Sequence, residues 1–180
     1  MKYLLYAVVI FISFEVNGQF DKKTGIASGS GSFTQRGTIS FRPTVGVIVV
    51  RNFMIGLQDN FNYKKHPGDE PADHSNTVGP VLRYYLPLGR IALFPRVSAG
   101  VGSATVKQYF VDWDTGDVIK KTSKKRIAEY FIGVGATYFV APNIGVETIL
   151  DFDIKNRRPG VALGLQFYMR SAKDKNFTIR

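Results

Sequence analysis

From Pro159 to Arg170 the chain alternates with a period of two. Val161, Leu163, Leu165, Phe167 and Met169 occupy odd positions, and Gly160, Ala162, Gly164, Gln166, Tyr168 and Arg170 even ones. Successive side chains of a strand point to opposite faces, so the segment predicts a strand with one apolar face and one small or polar face. The same alternation marks eight segments of about ten residues, the length at which a tilted strand crosses a bilayer. The first, Gly25 to Thr34, is almost wholly Gly, Ser and Ala. The second, Thr38 to Val50, opposes Ile39, Phe41, Val45 and Val47 to Ser40, Arg42, Thr44 and Gly46, and the third, Phe53 to Lys64, opposes Ile55, Leu57 and Phe61 to Gly56, Gln58 and Asn60. The fourth, Thr77 to Pro87, sets Val78, Leu82 and Tyr84 against Gly79, Arg83 and Tyr85; the fifth, Ile91 to about Val106, sets Leu93, Val97 and Val101 against Arg96, Ser98 and Gly100. The sixth, Arg126 to Val140, opposes Tyr130, Ile132 and Val134 to Glu129, Gly133 and Thr137, and the seventh, Asn143 to Lys155, opposes Val146, Leu150 and Phe152 to Glu147, Asp151 and Asp153. The fold class this predicts is all-β, an eight-stranded antiparallel up-and-down transmembrane β-barrel with its apolar face toward lipid.

The connections carry the same message. Val50-Arg51-Asn52, Leu88-Gly89-Arg90 and Ala141-Pro142-Asn143 are tight turns, whereas Lys65 to Asn76 and Lys107 to Lys125 are long and polar. Outer-membrane barrels join their strands by short periplasmic turns and longer external loops, so the long connections are expected outside and both chain ends in the periplasm. Within the longer loop, Asp114-Thr115-Gly116-Asp117 lies between Tyr109-Phe110-Val111 and Val118-Ile119, the pattern of a hairpin that continues strands five and six above the membrane. Asp59 breaks the apolar face of the third strand, which predicts either a bulge there or a membrane portion nearer Phe53 to Leu57. If the face of Leu163 meets lipid, Leu163→Arg is expected to hinder insertion and Gly164→Ser to do little.

Composition narrows the address. Met1 and Lys2 precede an apolar run from Tyr3 to Phe14, which predicts a signal peptide over residues 1–18, cleaved before Gln19, and a barrel domain over residues 19–180. The run is shorter than the roughly 20 residues of a spanning helix. The chain has no cysteine, so it has neither a disulfide framework nor the acylated residue of a lipoprotein, which fits a bacterial envelope protein. Its 24 basic residues against 14 acidic ones give +10, and the excess is gathered at loop ends: Lys120, Lys121, Lys124, Lys125 and Arg126, with a smaller pair at Lys64 and Lys65. Base-stacking aromatics are not interleaved with these groups, so a nucleic-acid partner is not expected. Solvated loop charge is one reading; contact with lipid phosphates or anionic glycolipid headgroups is the sharper one.

Gly46-Val47, Asn52-Phe53-Met54-Ile55-Gly56-Leu57, Gly79-Pro80-Val81-Leu82-Arg83-Tyr84-Tyr85-Leu86-Pro87 and Ser98-Ala99-Gly100-Val101-Gly102 carry a family likeness. In these segments the chain resembles the small outer-membrane β-barrel domain proteins common in Bacteroidetes, which share their architecture with OmpX and the OmpA membrane domain. The resemblance implies an eight-stranded antiparallel barrel in the outer membrane, usually without an assigned activity; a monomer in the outer membrane of a Gram-negative bacterium is expected. Such chains often end on an aromatic residue of the last strand. Here Ser171 to Arg180 follow that strand, so the resemblance assigns the terminal signal to Phe167 and Tyr168 or to Phe177.

An eight-stranded barrel is just wide enough for its own side chains, so a plugged polar lumen is expected. Arg42, Arg83 and Arg96 on the inward face are expected to meet Glu129, Glu147 and Asp151 in one compensated network, because buried charges must be paired. A narrow ion path is the alternative. A lipid A-modifying enzyme is a further one, but His66 and His74 are the only histidines and neither belongs to a nucleophile–base–orienter set. His66, Asp69, Glu70, Asp73 and His74 have metal-ligand chemistry, yet an exposed acidic loop explains them, and no cofactor is expected. A soluble secreted lipocalin-like binder also has eight strands. It requires the opposite arrangement, apolar inside and polar outside, and the sequence alone does not fix which face points in. The expected role is structural or a surface interaction, with the protein partner open.

Overall fold

The structure, a computed structural model, describes residues 23–33, 38–64, 73–111 and 118–169. The proposed signal peptide, the chain end after Met169 and His66, Asp69 and Glu70 lie outside the described residues. Nine segments follow in chain order: β1 Gly25–Phe33, β2 Thr38–Val50, β3 Phe53–Lys64, β4 Asp73–Tyr84, β5 Leu86–Leu88, β6 Ile91–Val111, β7 Val118–Ala141, β8 Ile144–Asp153 and β9 Arg158–Met169. β4 and β5 are one stave. Arg83 faces Arg96 and Leu86 faces Leu93 in a single register against β6, and the Tyr85 amide donates to the Asn52 carbonyl at 2.8 Å. The interruption between them stands opposite Pro95, which has no N–H to give to the ladder.

Each strand pairs antiparallel with its chain neighbour, and β1 pairs with β9, so eight staves close into a ring without a free edge. Following partners from Gly25 through Val47, Ile55, Leu82, Val97, Ile132 and Phe152 leads to Pro159 on β9, four residues before Leu163, which pairs with Gly31. The ring therefore closes with a stagger of about ten residues, and the strands must tilt and coil to accommodate it. The short turns suit this geometry: Asn52 and Gly89 adopt positive φ, at 65° and 62°.

The closure decides which face points in. Val45, Leu57, Val78, Val97, Ile132, Leu150 and Leu163 are all exposed on the outside of the ring, while Arg83, Arg96, Glu147 and Gln166 are buried within it. This is the inside-out arrangement of a transmembrane barrel, opposite to that of a soluble ligand-binding one. Outward aromatic residues gather near the two strand ends: Phe53, Tyr84, Tyr138 and Phe167 at the end of the short turns, and Phe61, Tyr63, Tyr130 and Phe152 toward the other. Two such girdles mark the two interfaces of a bilayer.

The structure refines several details of the sequence reading. β4 begins at Asp73 rather than Thr77; β6 and β7 run on to Val111 and from Val118 as the hairpin pattern predicts, and this two-stranded ribbon takes in the basic residues that the sequence reading placed at loop ends. No bulge occurs at Asp59. It pairs with Val78 in an unbroken register and stays on the outer face, its Oδ1 accepting the Asn60 amide at 2.9 Å, and the irregularity between β2 and β3 falls instead at Ile48 and Val50. Nor is Gly164 a tolerant position. A Cβ there would sit 2.5 Å from the Gly29 carbonyl oxygen and 2.8 Å from Ser30, so Gly164→Ser requires the β1–β9 seam to open.

Candidate functional site

The alternation that turns Val and Leu outward also decides what fills the lumen, and the filling changes along the barrel axis. Near the short turns the inward positions are apolar: Ile26, Ile48, Met54, Ala92, Phe139 and Tyr168 form a continuous buried cluster with Tyr85 and Phe94. The rings of Phe139 and Tyr168 lie 5.2 Å apart and those of Tyr85 and Phe94 5.3 Å apart. Gly135 faces Phe94 across the β6–β7 ladder, and a Cβ there would come within 2.3 Å of the ring. The absent side chain is the space the phenyl group occupies.

Directly above this floor lies the first charged layer. Arg83 Nη1 donates to Glu147 Oε2 at 2.9 Å, with side-chain exposures of 1% and 0%. The guanidinium carbon stands 4.9 Å over the Phe94 ring. Thr137 Oγ1 donates to Gln166 Oε1 at 2.9 Å, and Gln166 Nε2 donates to the Tyr85 hydroxyl, which ties β7, β9 and β4/β5 together beside the ion pair.

The second charged layer belongs to Asp151. Its Oδ2 accepts from Arg42 Nη1 and lies 3.5 Å from Arg96 Nη1. Arg96 also donates to Gln58 and, at 3.2 Å, to Ser98 Oγ; Arg42 Nε donates to Asn60 Oδ1 at 3.3 Å, and its guanidinium stands 4.8 Å over Phe131. Arg83 and Arg96 are direct cross-strand neighbours, and like charges so placed repel. Each turns to its own carboxylate on β8. The expected single network is therefore divided in two, and Glu129 stands apart from the arginines. Its Oε2 accepts from Asn60 Nδ2 at 2.6 Å and from Thr77 Oγ1 at 2.7 Å, so it reaches Arg42 only through Asn60.

Beyond the second layer the lumen opens as a polar cup of about 860 Å³, with Arg42, Glu129, Phe131 and Asp151 at its base and Lys64, Asp153 and Arg158 higher up. Asp73 and His74 line the same cup, and Asp73 Oδ1 accepts the Lys107 amide at 3.1 Å. Among the described residues no group of three metal-ligating side chains converges.

The basic residues lie on the ribbon that rises past the cup. Lys121, Lys124, Lys125 and Arg126 are exposed, and Lys120 occupies a ribbon position opposite Tyr109. Lys124 and Arg126 share the outward face with Tyr130 and Ile132, and Lys121 and Lys125 take the other. Sequence reasoning missed the apolar floor: Ile48, Phe94, Phe139 and Ile149 stand at inward positions by the same count of two that placed Arg42 and Glu147 there.

No protein-family model and no curated protein matches the chain. Its fold is similar to that of solved structures. Over 82% of this chain and 98% of the other, it superposes on the N-terminal β-barrel domain of Pseudomonas aeruginosa OprF with a TM-score of 0.55 at 15% identity. Neisserial surface protein A gives 0.53 at 14% identity over 80% of this chain and 94% of that one. A de novo designed transmembrane β-barrel gives 0.50 at 16% identity, over 83% and 98%. The likeness to a designed sequence underlines that what is shared is the eight-stranded transmembrane barrel itself.

Proposed function

We propose that this protein is an outer-membrane β-barrel of a Gram-negative envelope, of the small type resembling those of Bacteroidetes, with a plugged lumen and a non-catalytic structural or surface-interaction role. Both termini are periplasmic in this reading, the cup and the β6–β7 ribbon face outward, and the barrel acts as a monomer in contact with outer-membrane lipid and anionic glycolipid headgroups. The observation that carries it is the stacking of two buried arginine–carboxylate layers on an apolar floor, with Arg83, Arg96, Glu147 and Ile48 all at 0–1% exposure. Ion passage through such a section requires breaking a buried pair and parting the aromatic rings beneath it, which is costly at each step. A surface role follows from where the variety lies, because the external ribbon and cup carry the charge that the wall lacks.

Planar-bilayer recording of the purified, folded barrel tests the plug: conductance near the baseline of protein-free membranes is expected. Steady, large conductance would replace this reading with that of a channel. Fractionation tests the address, and recovery of the protein in clear periplasm or medium would overturn it.

A further inference from the structure

We infer that the outer wall of the barrel holds a binding site for the phosphate of an outer-leaflet glycolipid, formed by Lys124, Arg126 and Lys155. Down the outward face of the β6–β7 ladder the facing pairs are Val97 with Ile132, Ala99 with Tyr130 and Val101 with Ala128, and then abruptly Ser103 with Arg126 and Thr105 with Lys124. The wall thus passes from apolar to cationic within one pair of residues. On the other side of β7, the exposed Ile154 donates its amide to the Tyr130 carbonyl at 2.9 Å, and the next residue, Lys155, places Nζ 3.3 Å from the Ala128 carbonyl oxygen. Lys155 is thereby held beside Ala128, two residues along β7 from Arg126.

Lys124, Arg126 and Lys155 border an open recess of about 910 Å³ whose lining holds no acidic residue. Val101 and Ala128 line it too, so it is continuous with the lipid-facing wall. Arginine and lysine at this boundary match the phosphate of a lipid whose chains lie along Val101, Tyr130 and Phe152. An acidic peptide or a soluble glycan would use the cations and leave the apolar half of the site empty. At the opposite end, Arg51 and Arg90 lie in two separate short turns.

The inference rests on the external orientation proposed above, and the test separates the two. Folded full-length protein in neutral detergent is titrated with diphosphoryl lipid A, with the same lipid A stripped of phosphate, with inorganic phosphate and with a soluble sulfated polysaccharide, and bound species are counted by native mass spectrometry. Diphosphoryl lipid A is expected to be retained in preference to the other three. Lys124→Ala, Arg126→Ala and Lys155→Ala together should weaken it on the order of a hundredfold, from about a tenfold or less per basic group. Arg51→Ala with Arg90→Ala should leave it unchanged. All three wall side chains are exposed, and gel mobility with and without heating verifies the fold of each variant. Equal retention by the triple variant, or binding of dephosphorylated lipid A, phosphate or polysaccharide as tight as that of the diphosphoryl form, overturns the site. Separately, Lys121→Cys on intact cells should react with a membrane-impermeant maleimide; failure to label overturns the orientation and the outer-leaflet assignment while leaving the measured lipid affinity standing.

Discussion

Arg83–Glu147 and Arg42–Asp151–Arg96 use the same chemistry at two levels of one lumen, yet their surroundings differ. Glu147 holds one arginine, roofed by the second layer and floored by Phe94 and Tyr85, with both side chains at 0–1% exposure. Asp151 is shared by two arginines and forms part of the base of an open cup, and Arg42 retains 10% side-chain exposure. The lower pair is therefore the more sensitive to loss of a partner, because both of its side chains are almost wholly buried. In the upper cluster Arg42 and Asp151 border the cup, while Arg96, at 0% side-chain exposure, has Gln58 and Ser98 as neutral partners and Arg42 has Asn60. Glu129, one step further out, accepts only neutral donors. Depth below the cup, more than the count of ion pairs, sets how much each carboxylate matters.

The comparison predicts a gradient. Glu147→Ala strands Arg83 in a dry layer and should cost about 3 to 5 kcal/mol, read as a lower urea-unfolding midpoint in phospholipid vesicles. A midpoint within error of wild type would mean that water already reaches Arg83. Removing both partners sharpens the point: Arg83→Met with Glu147→Leu should recover most of that loss, since an apolar pair of similar volume extends the floor by one layer. If the double variant is as unstable as Glu147→Ala alone, packing at Phe94 and not the unpaired charge is the cause. Asp151→Asn keeps an acceptor for both arginines and leaves them their neutral partners, so about 1.5 to 3 kcal/mol is expected. A loss exceeding that of Glu147→Ala would invert the order of the two layers.

Much of this was legible from alternation alone. β2 and β3 have the bounds the sequence predicts, and Arg42, Arg83, Arg96, Glu147 and Asp151 stand inward where a count of two places them. The pairing within the lumen was not legible, because it depends on register around the ring. Arg83 and Arg96 face each other across β4 and β6, which no single strand reveals, and it is their adjacency that divides the charges into two layers. The ribbon was half legible: Val111 and Val118 marked a hairpin, but a lysine-rich run resembles a loop until the facing strand is known. The cost of a side chain at Gly164 was invisible for the same reason, since the obstacle is the backbone of β1, more than a hundred residues away in the chain.

Glu129 gives the smallest predicted effect. Its carboxylate receives Asn60 Nδ2 and Thr77 Oγ1 on a single oxygen, at 2.6 and 2.7 Å, and lies at the base of the cup where its other oxygen can be hydrated. Glu129→Gln keeps an oxygen for those two donors and turns an amide toward water, so it exchanges two charge-assisted hydrogen bonds for two neutral ones at a partly exposed site. The expected loss is below about 1 kcal/mol on the same urea scale, because solvent replaces part of what the charge supplied. Arg42 adds a second readout, since it shares Asn60 with Glu129: combining Glu129→Gln with Asp151→Asn should give a loss close to the sum of the two alone if Asn60 keeps its place, and a markedly larger one if Asn60 swings away from Arg42. A Glu129→Gln loss as large as that of Glu147→Ala would show the cup base to be as dry as the sealed layer, and the distinction drawn between them would fall.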